Sequence, residues 1–495
     1  PIMKYLPTIK KKHLRYLLYF LFERLRQLYC FLFSTQKDTP YKGRFMTRLE
    51  QMKLLDAENT GIAVNGYLRL SPTMCFRHLC ITGSTGSGKS SIIFVPSIMS
   101  IDDPLFILDC SGALYNQTSG YLKKKGFSIH RINLSKPQNG SDSYNPMLRA
   151  NTDSKLKRLA SVLVKTALPE SKDPFWNNSA RQIIYLIMRV LKECTPPEHQ
   201  TLSNVRHVLN HLSANPEATS MKWIMMNTSD GLWSEIKGAM SGGEKTVDSV
   251  LATARTALEL FSDPAISALT AYDSLGDLQR LRRKKTALYL TINETDISYL
   301  NFIVSVILGD ILDMCMQTPG KKDRNYYLLL DEFAHSTIQD FSTILTTLRK
   351  RRVSVTLAIQ SKSMLEHKYG KADSNSILTG GCVTHVYLPG GVDYAANEDI
   401  SKLCGKHIVQ YNGKDMVKPV LSADEIYALK NKLIFQHAGH RPALLRPYPY
   451  YKNKTLLRQT QTRSVSFRRR RVNAPMLIDL DAQIGRAREG KECRS

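Results

Sequence analysis

Residues Gly83-Ser84-Thr85-Gly86-Ser87-Gly88-Lys89-Ser90 match the pattern G-x-x-x-x-G-K-[ST] in full. No other stretch restricts the possible folds as much, because such a loop needs a buried strand leading in and a helix leading out. Leu79, Cys80 and Ile81 supply the strand, and Ile92, Ile93, Val95, Ile98 and Met99 recur at helical spacing. The glycines let the backbone wrap closely round a polyphosphate. Loop and helix-terminus amides, from Gly83 through Ser84, Thr85, Gly86, Ser87, Gly88, Lys89 and Ser90 to Ser91, then face its oxygens. Lys89 neutralises charge near the β and γ phosphates, and the Ser90 hydroxyl is the expected Mg2+ ligand. ATP with Mg2+ is therefore the expected cofactor pair. A plain turn has no need of Lys-Ser after its last glycine. A dinucleotide fingerprint is excluded, since glycines 83, 86 and 88 run G-x-x-G-x-G.

A second centre lies at the end of the apolar run 326–330, which closes in Asp331-Glu332. A buried strand delivers Asp331 to the Mg2+ shell opposite Ser90, and Glu332 is placed to orient and deprotonate the attacking water. The run 353–359 ends in Gln360, an amide placed to sense the γ-phosphate. Asp109 closes the run 105–108 but is followed by Cys110 rather than a second acid, which makes it the weaker carboxylate. Asn293-Glu294-Thr295-Asp296 differs from the guanine-reading N-K-x-D by Glu for Lys, so GTP specificity is not expected. Arg349-Lys350-Arg351-Arg352 reads either as a solvated helix end that suits the dipole or as an arginine finger offered to a neighbouring subunit.

At 495 residues the chain exceeds one ordinary core. Composition and periodicity divide it into five parts. Residues 1–60 form a basic, amphipathic helical segment in which leucines 14, 18, 21, 25, 28 and 32 share a face. Glu23, Arg24 and Arg26 interrupt it as a membrane span. Residues 61–150 and 276–445 are two parts of one nucleotide-binding α/β domain. Residues 151–275 carry helical periods without strand alternation and read as an inserted all-α domain, with 238–245 as a mobile loop. Residues 446–495 are a basic tail.

The net charge of +26 calls for a polyanionic partner. The tail holds thirteen Lys/Arg against four Asp/Glu, with Tyr448, Tyr450, Tyr451 and Phe467 among the cations. Its densest run, Arg468, Arg469, Arg470 and Arg471, is the candidate nucleic-acid contact, by phosphate neutralisation beside base stacking. A solvated tail is compatible with that reading. Nine cysteines without a C-x-x-C pair, and histidines without ligand spacing, signal neither a disulfide framework nor a zinc site.

With these residues in hand, the chain resembles the type IV secretion coupling proteins, the TraG/TraD-like ATPases of bacterial conjugation, over roughly residues 79–406. The marks are the phosphate loop, Asp109-Cys110-Ser111-Gly112 with Gly120-Tyr121, Tyr144-Asn145-Pro146, Asp173-Pro174-Phe175-Trp176 leading to Ala180-Arg181, and Leu330-Asp331-Glu332-Phe333 with Gln360. Ser111 and Ala113 stand where Lys and Glu are common, so those two roles are not carried over. The resemblance implies a RecA-like P-loop ATPase core with a mainly parallel sheet and an inserted all-α domain. It further implies a homo-oligomeric ring, a hexamer, at the cytoplasmic face of the inner membrane, in the bacterial cytoplasm. Its cargo would be a relaxase bound to single-stranded DNA, handed to type IV secretion channel components. By similarity Arg349 fits the arginine-finger position. The pair of membrane-spanning helices that the resemblance implies is not visible in the sequence. Two other readings stand beside it: a receptor docking protein cargo with ATP controlling assembly, and a double-stranded DNA translocase of the FtsK/HerA type.

Overall fold

The computed structural model describes residues 42–169, 173–214, 219–333, 338, 340–390, 394–466 and 474–480. The leucine-rich N-terminal stretch and Arg468–Arg471 lie outside the described residues. Nine strands form the central sheet: β1 Leu79–Thr82, β2 Leu105–Asp109, β3 Ser128–Asn133, β4 Thr286–Thr291, β5 Tyr326–Leu330, β6 Val353–Ile359, β7 Thr384–Tyr387, β8 Leu433–His437 and β9 Ala443–Leu445. Their order is β9-β8-β7-β1-β6-β5-β2-β4-β3. From β7 to β3 every pairing is parallel, and only the β7–β8 and β8–β9 pairings are antiparallel, so β8 alone is reversed. This is the α/β class with a mainly parallel sheet expected from the apolar runs.

The parallel strands are apolar throughout because both faces are covered. Alternate residues feed two cores. Leu105, Ile107, Tyr327 and Leu329 face the layer of α1 Val95–Ser100 and α2 Ala113–Lys124. Phe106, Leu108, Leu328 and Leu330 face the opposite layer, which merges with the helices that follow β3. Those helices include α3 Asp153–Ala167, α4 Pro174–Cys194, α5 Leu202–Ala214, α6 Thr219–Asn227, α7 Asp230–Ala239 and α8 Glu244–Ala257. Asn145 ties them to the sheet: its side-chain oxygen caps the short helix Pro146–Arg149, while Nδ2 donates to Gln200 O at 3.0 Å and Ala271 O at 3.2 Å. The expected mobile loop at 238–245 is corrected. Residues 238–239 end α7, 244–245 begin α8, and Gly243 caps the second helix, so only a tight turn separates them.

The sequence reading passed over helix α9, Ile297–Met316, which is long and apolar enough to cross a membrane by length and composition. Most of its apolar window is buried within the chain, against α3 and helix α10, Phe341–Leu348. From Lys454 to Val465 the chain packs on α2: Val465 N donates to Ser119 Oγ, and Arg463 O passes so close to Gly120 that a Cβ there would meet it at 2.1 Å. Residues 474–480 lie on α5, where Ile478 N donates to Asn204 Oδ1.

His78, fully buried just before β1, locks the phosphate-loop strand in place. Its Nε2 lies 2.8 Å from Leu345 O and its Nδ1 accepts from Val355 N at 3.1 Å, so the ring is neutral and bridges α10 to β6. Burial pulls its pKa down to about 4. The unfolded chain therefore binds a proton that the folded one refuses between about pH 6.5 and pH 4, and stability falls as pH falls through that window. The loss from this residue is about 3 kcal/mol. His78→Gln should reduce the pH slope of unfolding free energy near pH 5 by about one proton, or about 1.4 kcal/mol per pH unit. Denaturant melts at pH 4.5 to 7 check this, and an unchanged slope contradicts it.

Candidate functional site

Register sets the site. Thr82 pairs with Ile359 and Leu330 with Leu357, so β1, β5 and β6 release Gly83, Asp331 and Gln360 at one edge of the sheet. There Lys89 Nζ lies 3.1 Å from Glu332 Oε1 and donates to Gly83 O at 3.0 Å. Gln360 Nε2 donates to the other oxygen, Glu332 Oε2, at 3.2 Å. Asp331 Oδ1 accepts from the Glu332 amide at 3.2 Å, and the Asp331 carbonyl accepts from Cys110 Sγ at 3.4 Å. Lys89, Asp331 and Glu332 are all buried. Burial, and then the Glu332 charge beside it, push the Asp331 pKa up to about 7, while Lys89 pulls the other way. An acid whose ionisation is disfavoured in this way is relieved by a divalent cation.

The loop itself is shaped to receive an anion. Gly88 has φ +95° and opens the helical turns Lys89–Phe94, and a Cβ there would meet Ile92 Cδ1 at 2.7 Å. A Cβ on Gly83 would meet Ser87 Oγ at 2.5 Å. That hydroxyl is buried and has no hydrogen-bond partner among the described residues, so the loop holds a donor to spare. Ser90 and Ser91 follow in the first turn, where Ser91 Oγ donates to Gly88 O at 3.3 Å. The residues present therefore fit a nucleoside triphosphate with a divalent cation, for which Ser90 and Asp331 are the available oxygen donors.

Other marked residues have local work. Asp109 Oδ2 accepts from Tyr115 N at 2.8 Å, and Oδ1 from Ser111 N at 3.4 Å; with Gly112 at φ +72° these contacts start α2. Asp173 caps α4 by accepting from Phe175 N at 2.9 Å, with Pro174 at the first helical position. Arg349 does not join the Lys89 cluster. It precedes β6, at the end of the strand opposite Gln360, and Nη2 donates to Gly381 O at 2.9 Å and to Gly380 O. Arg351 Nη1 donates to Thr318 Oγ1 at 2.7 Å and Arg352 Nη2 to Asp323 O at 2.9 Å. Cys110 and His78, which buttress the acids and the loop strand, were missed by sequence reasoning. Only their places beside the motifs hint at them.

A mainly parallel sheet whose loop strand, acid strand and amide strand end together, with Lys89 and Gln360 meeting on Glu332, defines a phosphate-loop protein of the RecA-like class. The match to the family described as Type IV secretory system Conjugative DNA transfer runs over residues 37–448, and the chain belongs to that family. Protein VirD4 of Agrobacterium fabrum (strain C58) is 23% identical over 419 residues, which is 77% of this chain and 60% of that protein. Conjugal transfer protein TraG of Escherichia coli is 24% identical over 358 residues, or 66% of this chain and 55% of the relative. The chain thus spans about 60% of the length of the VirD4 relatives it matches. Among solved structures, the plasmid coupling protein TrwB in complex with ADP and Mg2+ superposes with a TM-score of 0.60 at 19% identity, covering 84% of this chain and 97% of TrwB. TrwB with an ATP analogue gives 0.59 at 18% identity over the same shares. These likenesses bear out the RecA-like fold.

Proposed function

We propose that this chain is an ATP-hydrolysing coupling protein of a conjugative type IV secretion system, which receives relaxase-bound single-stranded DNA and drives or licenses its entry into the channel. The observation that carries the hydrolysis is the contact of Lys89 and Gln360 with the two oxygens of Glu332, one residue from Asp331. A scaffold that only binds nucleotide has no chemical need for the second acid and the amide. Lys89 and the loop bind the phosphates, Glu332 orients the water and takes its proton, and Gln360 holds Glu332 while facing the γ-phosphate. Mg2+, held by Ser90 and Asp331, would neutralise charge on the phosphates.

Family membership and the named relatives support the conjugative setting, the inner-membrane channel as partner and the cytoplasmic face as location. The charge of +26, with Arg468–Arg471 in the tail, supports single-stranded DNA as the polyanion. The family resemblance supports assembly as a homo-oligomeric ring, a hexamer, and Arg349, which precedes β6 at the end opposite Gln360, suits a finger offered across subunits. The test is steady-state ATP turnover across protein concentration, with and without single-stranded DNA. Turnover per subunit is expected to rise with concentration and with DNA. Turnover no higher than that of Lys89→Ala under every condition overturns the motor and leaves a docking receptor.

A further inference from the structure

The geometry points to a purine-stacking cleft beside the phosphate loop, with the Tyr427 ring as its wall. This rests on the nucleotide reading above and names the part of the ligand that the loop does not touch. A cleft of about 510 Å³ opens between Gly86 and Ser87 of the loop, Pro389 and Gly390 after β7, and Tyr427 with Lys430. Its size is that of a small-ligand site, for which volumes of about 300–1,000 Å³ are usual.

The cleft is continuous with the phosphate cradle. A Cβ on Gly83 would stand 3.0 Å from Leu388 Cβ, and one on Gly390, where φ is +106°, would stand 3.7 Å from Ser84 Oγ. A nucleotide whose phosphates lie on the loop therefore has this cleft beside them for its ribose and base.

Tyr427 is the unexplained residue of the region. At 66% exposure it is the most exposed large hydrophobic side chain among those described. It nevertheless stands on a fixed support, as the last residue of the helical turn Ala423–Tyr427. Ser422 Oγ accepts from Glu425 N at 3.2 Å, and Glu425 Oε2 accepts from Ser422 N at 2.8 Å, while Ile426 is buried beneath. A rigidly mounted aromatic with its face in water, beside a phosphate loop, is a stacking platform waiting for a flat apolar partner. Lys430 adds a cation to the same wall, suited to the phosphate nearest the ribose. Stacking reads the π-face of the base and not its edge. The cleft therefore prefers the larger purine ring system over pyrimidines and treats adenine and guanine alike.

The experiment compares equilibrium binding of ATP, CTP and inorganic tripolyphosphate to the full chain and to Tyr427→Ala and Tyr427→Phe. Tyr427→Ala is expected to weaken ATP binding about tenfold and to abolish the ATP-over-CTP preference. Tyr427→Phe should stay within about threefold of the parent, and tripolyphosphate should bind all three chains equally. ATP affinity unchanged in Tyr427→Ala, or an equal loss for tripolyphosphate, overturns the stacking cleft while leaving the phosphate loop standing. A parent chain that binds neither ATP nor tripolyphosphate overturns the nucleotide reading and the cleft with it.

Discussion

Glu332→Gln is expected to lower ATP turnover by about 10²–10⁴-fold, the range over which a positioned general base acts, with nucleotide affinity kept within about threefold. The side chain keeps its shape and its ability to meet Gln360, but it no longer takes a proton. The backbone argues for the same role. Glu332 has φ +49°, a left-handed conformation uncommon for a residue with a Cβ. Holding it costs on the order of 1–3 kcal/mol, and such strain gathers where a side chain must be aimed. Here the aim is held from three sides, by the Asp331 carboxylate on its amide, Lys89 on one oxygen and Gln360 on the other. Glu332→Gly relieves the strain and should fold at least as stably, yet it should be as inactive as Glu332→Gln. Single-turnover kinetics beside thermal melts measure both effects. Turnover of Glu332→Gln within twofold of the parent would sink the assignment of the base.

The sequence made the site legible to different depths. Lys89 could be read because it closes the phosphate-loop pattern, and Asp331 and Gln360 because each ends an apolar run, and a run buried on both faces has one chemically free end. That reading also located β6, Val353–Ile359, to the residue. The contact of Lys89 with Glu332 was not legible, since it depends on the register of β1, β6 and β5 and on a left-handed residue that no composition signals. Asp109 looked like a weaker candidate carboxylate in the sequence, and Asn145 and Asp173 were marks of the family resemblance. In the fold they start helices, because Asp and Asn satisfy free amides at a helix start as readily as they serve a ligand. The packing of the start of the tail was not legible either: Tyr448 and Val465 sit among cations yet donate to Asn65 and Ser119, and Arg463 lies against Gly120, contacts made across more than 300 residues of sequence. His78 shows the opposite case, a lone histidine whose ring is fully used by backbone groups.

If the chain works as the proposed ring, Arg349→Ala is expected to reduce turnover by about 10³-fold or more, as loss of an arginine finger does, and mixing it with Glu332→Gln should restore activity that neither variant has alone. The geometry explains why. β6 is seven residues long, so Arg349 stands roughly 20 Å or more from the Gln360 end of its own strand, beyond the reach of its side chain. In a head-to-tail ring, the face that carries one subunit's Arg349 can meet the open phosphate-loop edge of the next. An Arg349→Ala subunit then still offers an intact Glu332, and a Glu332→Gln subunit still offers an intact arginine. With random 1:1 assembly about one interface in four pairs the two intact halves, which sets the scale of the recovery. The competing role is structural: Arg349 holds the Gly380 and Gly381 carbonyls within its own subunit, with its buried Nε lacking a partner among the described residues. If that contact is the whole of its work, the defect travels with the subunit and no mixture recovers. Coexpression with two tags and tandem purification ensures that mixed rings are the ones assayed. Recovery well above either variant assigns the finger to the neighbouring subunit, and its absence at every ratio assigns Arg349 to the fold.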